Sequence, residues 1–173
     1  MVPDNPQTAS ATGLTWFVCH TRPRCEKKFA ALLESEKFKN YLPLVESIRR
    51  YGRKTKHFTK PLFPGYVFAR VPVERKARIY QQELVARAIP VVDEAVFLGQ
   101  IESVKAMVAS GYELTVLPLL TRGRRVRVVG GALHGLEGYI DDPADPRGII
   151  VSVDVLRQGL LVKLPVECLQ ALP

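Results

Sequence analysis

Near residue 111 the hydrophobic pattern of this chain changes period, and no single regular architecture accommodates both halves. Up to Ser110, short apolar runs alternate with stretches whose apolar residues recur every three or four positions. Beyond Gly123 only short β signals remain, bounded by glycine, proline and aspartate. Between them YELTVLPLLTRG shows no clear period, so a linker is expected over residues 111–121. At 173 residues and 47% apolar content the chain can bury one medium core and one small one. The reading is a first domain over 14–110 and a second over 122–173. Residues 1–13, MVPDNPQTASATG, are polar and proline-containing without an apolar signal core, and read as a disordered leader.

Within the first half, LTWFVCH reads as a buried strand. A helix follows, with Thr21 as its cap, Pro23 in its first turn, and Cys25, Phe29, Leu32, Leu33 and Glu36 at helical spacing. YLPLVESIRRYG and GYVFARV suggest a hairpin arm with a basic tip. Val73, Ala77, Tyr80 and Leu84 predict a second helix, ARAIPVV a strand, and QIESVKAMVAS a third helix. That order predicts an α+β fold, an antiparallel sheet with flanking helices. In the second half RRVRVV, YIDD, IIVSVDVL, LLVKLP and ECLQAL predict a small five-stranded β-barrel closed on itself.

A net charge of +8 implies anionic partners. It is concentrated: residues 49–60 hold Arg49, Arg50, Arg53, Lys54, Lys56 and Lys60 with no acid among them. Read alone, this is a solvated hairpin tip or a polyanion contact, and Tyr51 and Phe58 either pair across strands or stack on a base. Arg22, Arg24, Lys27 and Lys28 form a second basic group near a helix start. Three cysteines, an odd number, argue against a disulfide framework and for a reducing cytoplasm. No apolar stretch approaches the roughly 20 residues a bilayer requires. Cys19, His20 and Cys25 lack metal-site spacing, no nucleophile or phosphate-loop motif occurs, and neither enzyme activity, metal nor cofactor is expected.

Three stretches carry a resemblance: WFV at 16–18, PLFPGYVF at 61–68, and GRRVRVVGGALHGLEGYI at 123–140. In this order and separation they resemble the NusG family of transcription elongation factors, a NusG N-terminal domain followed by a KOW domain with its glycines at Gly131 and Gly138. The YLPL stretch and the basic arm look more like the specialised RfaH-type antiterminators than the housekeeping factor.

The resemblance implies a monomer that binds the clamp helices of the largest RNA polymerase subunit through an apolar seat. Tyr66 and Phe68, with Trp16 or Phe17 and Val91 or Val92, would form it; by spacing alone these are ordinary core residues. It implies non-template or upstream DNA near Arg22, Arg24, Lys27, Lys28, Arg49, Arg50, Arg53, Lys54 and Lys56. In the housekeeping factor, the loop corresponding to Val155, Leu156, Arg157 and Gln158 carries an aromatic and an arginine that engage Rho or a small-subunit ribosomal protein. Here Leu156 and Gln158 stand at those two places. The expected function is antitermination on a restricted set of operons. The alternatives are a housekeeping NusG acting with Rho and ribosome, or an RNA-binding, ribosome-associated KOW protein, which leaves PLFPGYVF without a role.

Overall fold

The computed structural model describes residues 13–75, 83–118, 123–142 and 145–173. These form two compact units, one holding the residues up to Leu42 with Phe63–Val92, the other Pro43–Leu62 with Asp93–Pro173. The architecture is mixed α+β with antiparallel sheets and, among the described residues, two α-helices.

The first unit contains β1 (Leu14–Thr21), α1 (Glu26–Ser35), β2 (Lys39–Tyr41), β5 (Tyr66–Pro72) and β6 (Val85–Pro90). Its sheet runs β2-β5-β1-β6, all antiparallel. Strand parity divides the side chains: Phe17, Cys19, Val67, Ala69, Val71 and Ala88 pack with Phe29 and Leu33 of α1 in one buried cluster. Full burial of a side chain of this size contributes roughly 1.5–3 kcal/mol, so this cluster holds the unit together.

The start of α1 differs from the expected one. Thr21 belongs to β1 and is buried, so it does not cap the helix; the cap position is Cys25, after a turn in which Arg24 has φ 63°. At the other end Lys37 takes φ 62°, its N–H donates to Glu34 O at 2.9 Å, and the Phe38 N–H donates to Leu33 O at 2.9 Å. This paired closure satisfies two terminal carbonyls and turns Phe38 against the core. Of the expected second helix, Val73–Arg75 forms one 3-10 turn and residues 76–82 lie outside the described residues.

The second unit contains the hairpin β3 (Leu44–Tyr51) and β4 (Lys54–Pro61), helix α2 (Glu94–Ala109), and β7 (Thr115–Pro118), β8 (Arg125–Val128), β9 (Glu137–Asp142), β10 (Asp145–Val153), β11 (Gln158–Lys163) and β12 (Leu169–Ala171). Helix α2 begins six residues earlier than its periodicity suggested. The Asp93 carboxylate accepts from the Val96 N–H at 3.1 Å, and Phe97 starts a buried stripe continued by Ile101, Val104 and Met107.

The last six strands form one sheet in the order β12-β8-β9-β10-β11-β7. Two expectations are corrected here. Thr115–Pro118 is not connector but strand, paired with Gln158–Leu161 of β11. The expected closed five-stranded barrel is instead a six-stranded sheet in which no pairing among the described residues joins its two ends. Ile149, Val151 and Val153 alternate along β10 with Ile150 and Ser152, all five are buried, and α2 packs against this strand. The Asp154 N–H donates to the Gln100 side-chain oxygen of α2 at 3.0 Å.

Two glycines are required here for different reasons. Gly131 has φ 74°, a left-handed conformation that costs other residues about 1–2 kcal/mol. Gly138 lies on β9 against β10, where an added Cβ would collide with the backbone oxygen of Ile150 and sit 2.8 Å from Ile149 Cγ1. Gly138→Ala should therefore destabilise the second unit by about 1–3 kcal/mol. Urea unfolding of the variant is expected to show a lower midpoint with an unchanged slope.

Candidate functional site

The turn entering β5 is held from two sides. The Thr21 N–H donates to Gly65 O at 2.8 Å, and the Gly65 N–H donates to Glu26 Oε1 at 2.9 Å. Glu26 is itself buried in the first turn of α1. Gly65 has φ 88°, a conformation that favours glycine, and an added Cβ would press on the His20 ring at 3.3 Å. The residue this turn delivers is Tyr66. Its ring stacks on His20 with centroids 4.9 Å apart and planes 15° apart.

Register extends this contact into a row. Tyr66 lies opposite His20, and His20 lies opposite Arg87 on β6. The next row on the same face is Tyr41, Phe68, Val18 and Ile89, with the Tyr41 and Phe68 rings stacked at 6.4 Å. Tyr66 is half-buried and Ile89 exposed, whereas Phe68, Val18 and Trp16 are buried, Phe68 completely. Val91 is buried and bonds through its N–H to Trp16 O at 2.9 Å; Val92 is 98% exposed.

Of the residues expected to form an apolar seat, Tyr66, Phe68 and Trp16 share one face of the sheet. Phe17 does not. It lies on the opposite face, buried against α1, because it is one residue out of phase with the Val18–Phe68 pair. His20, Tyr41 and Arg87 were not anticipated as part of this face. The alternation Trp16, Val18, His20 carries the signal for His20, but the continuous apolar run from Trp16 to Cys19 conceals it.

The two basic groups are both at the surface. Arg22 and Arg24 are exposed in the turn after β1, and Lys27 and Lys28 on α1. The first turn of that helix carries the Glu26 carboxylate, which offsets the positive helix end that would otherwise favour a phosphate. Arg49, Arg50, Lys54 and Lys56 are exposed on β3 and β4, and Arg53 in their two-residue turn. Gly52, first in that turn, has φ 62°.

In the second unit the loop Val155–Gln158 turns its apolar side chain inward. Leu156 is buried, Val155 half-buried, and Arg157 takes φ 51° with its N–H donating to Asp154 O at 3.0 Å. On β8 and β9, Arg127 and Arg125 hold Glu137 at 2.6 and 3.1 Å. Hydrogen bonding from Arg127, ahead of the charge of both arginines, keeps this exposed carboxyl below its ordinary range. No group of three or more His, Cys, Asp or Glu among the described residues could hold a metal. No described helix is long and apolar enough to cross a membrane.

The first unit carries a stacked aromatic row on one sheet face, and the hairpin of the second unit carries exposed cationic strands. Residues 14–114 match the family described as "Transcription termination factor nusG". The chain belongs to this NusG family, whose members are transcription factors acting on elongation without catalysing a reaction. Among solved structures, a chain of "Crystal Structure of MjSpt4:Spt5 complex conformation B" is similar at 17% identity, over 91% of this chain and 96% of that one, with a TM-score of 0.30. No curated relative matches the chain.

The cysteines separate by environment. Cys19 is fully buried in the α1-covered core, which pushes its thiol up to about 12; Cys25 and Cys168 are half-buried. Because the thiolate is the reactive form, iodoacetamide at pH 8 should modify Cys25 and Cys168 in the native protein and spare Cys19. Peptide mass mapping should find all three labelled only after denaturation.

Proposed function

We propose that this protein is a cytoplasmic, monomeric elongation factor that seats on the clamp helices of the largest RNA polymerase subunit and suppresses pausing and termination. The observation that carries this reading is Tyr66, a half-exposed ring fixed by a stack on His20 and by a turn bonded at both of its peptide groups. An aromatic already held in place gives up little conformational freedom on binding, so more of its contact area is realised as affinity. Phe68, Trp16 and Val91 are buried along the same face, and Tyr66, Ile89 and Val92 are apolar groups left accessible. Phe17 has no part in the seat. A partner helix laid on this face would be held by apolar burial.

No bond need form or break. A protein joining the two sides of a DNA cleft lowers the population of the open clamp by its differential affinity for the closed one. Cations from the hairpin and from the β1–α1 turn, not necessarily every one of them, are the proposed contacts to upstream or non-template DNA. The second sheet is the proposed KOW domain, and the left-handed conformation of Gly131 and the close approach of β10 to Gly138 support that assignment.

The specialised, antiterminating role is supported by the loop Val155–Gln158. Interface energy concentrates in a few aromatic or arginine anchors; this loop has no aromatic, and its leucine faces inward. A housekeeping contact with Rho loses its anchor there. Val155 remains for a small-subunit ribosomal protein.

The seat is tested by Tyr66→Asp, which leaves the core packing of Phe68 intact and places a carboxylate where a clamp helix would sit. Burying an unpaired charge costs several kcal/mol, so a micromolar contact should weaken at least a hundredfold. Arg53→Ala, a matched control in the hairpin turn, should bind purified polymerase as wild type does. Unchanged affinity of a folded Tyr66→Asp variant would refute the seat. In a reconstituted termination reaction the protein should not increase Rho-dependent release, and should raise read-through; stimulation matching a housekeeping factor would favour that alternative.

A further inference from the structure

The hairpin β3–β4 is not evenly basic, and its register sorts its residues into two unlike faces. Residues paired across an antiparallel ladder project to the same side, and the side alternates with each step. Tyr51 pairs with Lys54, Arg49 with Lys56, Ser47 with Phe58 and Val45 with Lys60. One face therefore carries Arg49, Lys54, Lys56 and Lys60 with the rings of Tyr51 and Phe58, and no acid. The intervening pairs, Arg50 with Thr55, Ile48 with His57 and Glu46 with Thr59, make up the other face. There His57 Nδ1 meets Glu46 Oε1 at 2.9 Å, so the hairpin's one carboxylate is engaged away from the cationic side.

The aromatics of the cationic face are arranged differently from one another. Tyr51 is 58% exposed at the tip. Phe58 is half-buried beneath the Arg49 guanidinium, which lies 5.1 Å from its ring centre. Neither Lys54, Lys56 nor Lys60 has an ion-pair partner among the described residues. Same-face neighbours along a strand are about 7 Å apart, so four cations and two rings form a platform several nucleotides long. Cations that follow a backbone, with aromatic faces between them, are the means of holding single strands, whose unpaired bases are free to stack. A duplex offers its phosphates to the same cations but no base face to Tyr51.

We infer that the face of the hairpin bearing Arg49, Tyr51, Lys54, Lys56, Phe58 and Lys60 is a binding platform for single-stranded nucleic acid, and that the face bearing Arg50 is not. This rests on the proposed nucleic-acid contact of the hairpin and narrows it to one side and one strand state.

The test is fluorescence anisotropy of the full chain with a labelled oligothymidine and a labelled duplex of equal length, across a salt series. The oligothymidine should bind more tightly. Replacing Arg49, Lys54 and Lys56 together by Gln should weaken it at least tenfold and flatten the log-log salt slope by roughly 0.7 per contact. Arg50→Gln, on the other face, should change affinity less than twofold. Tyr51→Ser should weaken oligothymidine binding roughly tenfold and leave the duplex unchanged, with Tyr51→Phe restoring it. Equal effects of Arg50→Gln and Lys56→Gln, or duplex bound as tightly as single strand, would overturn the platform while leaving a general nucleic-acid contact. No binding to either would overturn both. Polymerase affinity, read separately through Tyr66, is independent of all three outcomes.

Discussion

The first unit depends on the antiparallel pairing of β1 with β5. With Val18 opposite Phe68, every odd residue from Phe17 to Cys19 enters the core beneath α1, and every even one from Trp16 to His20 enters the face that carries Tyr66. A slip of one residue would exchange the two sets completely. The bonds that prevent it are local to the Gly65 turn, where β1 and α1 each contribute one partner to the same peptide neighbourhood. Glu26 thus has a task beyond its helix: a buried carboxylate that accepts an N–H is stabilising, and its removal would leave that donor unsatisfied at about 1–3 kcal/mol.

How much of this could be read in the sequence depended on whether the determining contacts were local. GYVFARV identified itself as a strand by its β-branched and aromatic content, but its expected hairpin partner is wrong: Leu44–Tyr51 pairs instead with Lys54–Pro61 across a two-residue turn, so the basic run forms strands rather than a tip, and Tyr66–Pro72 lies between β1 and β2. The side on which Phe17 falls was not legible, since a strand apolar on both faces carries no alternation. Helix α2 looked shorter because Gly99 interrupts the pattern, yet Asp93 caps it and Phe97 is buried. Strand β7 was hidden for another reason. It contains a proline and pairs with residues some forty positions later, a partner that no local window contains.

The same distinction explains the second sheet. Its individual strands were evident from turns and β-branched runs, while its closure was not, because closure is a relation between strands at opposite ends of the segment. The site followed suit. Tyr66 and the cationic residues were visible as residue types; the His20 stack, the Arg49–Phe58 contact and the sorting of the hairpin into two faces are properties of register. Exposure, too, belongs to the fold: Phe68 and Leu156 are apolar residues of kinds that anchor partners, and both are turned inward.

Two contacts of different physical character in one chain have a consequence for how the proposed factor would hold a transcribing complex. An apolar seat at Tyr66 changes little with ionic strength, whereas a hairpin held by phosphates weakens steeply as salt rises. Joined covalently, the second contact forms at an effective concentration on the order of 1 mM, so a nucleic-acid affinity of about 10 μM in isolation would lengthen occupancy roughly a hundredfold. Salt would remove that increment first and leave the polymerase contact in place. A single strand is exposed only where a duplex has been opened, so a platform selective for it would add its increment on an open bubble and not on closed DNA. Discrimination of that kind would need no base-specific contact, because the strand state itself is what the exposed ring of Tyr51 would distinguish in the proposed platform.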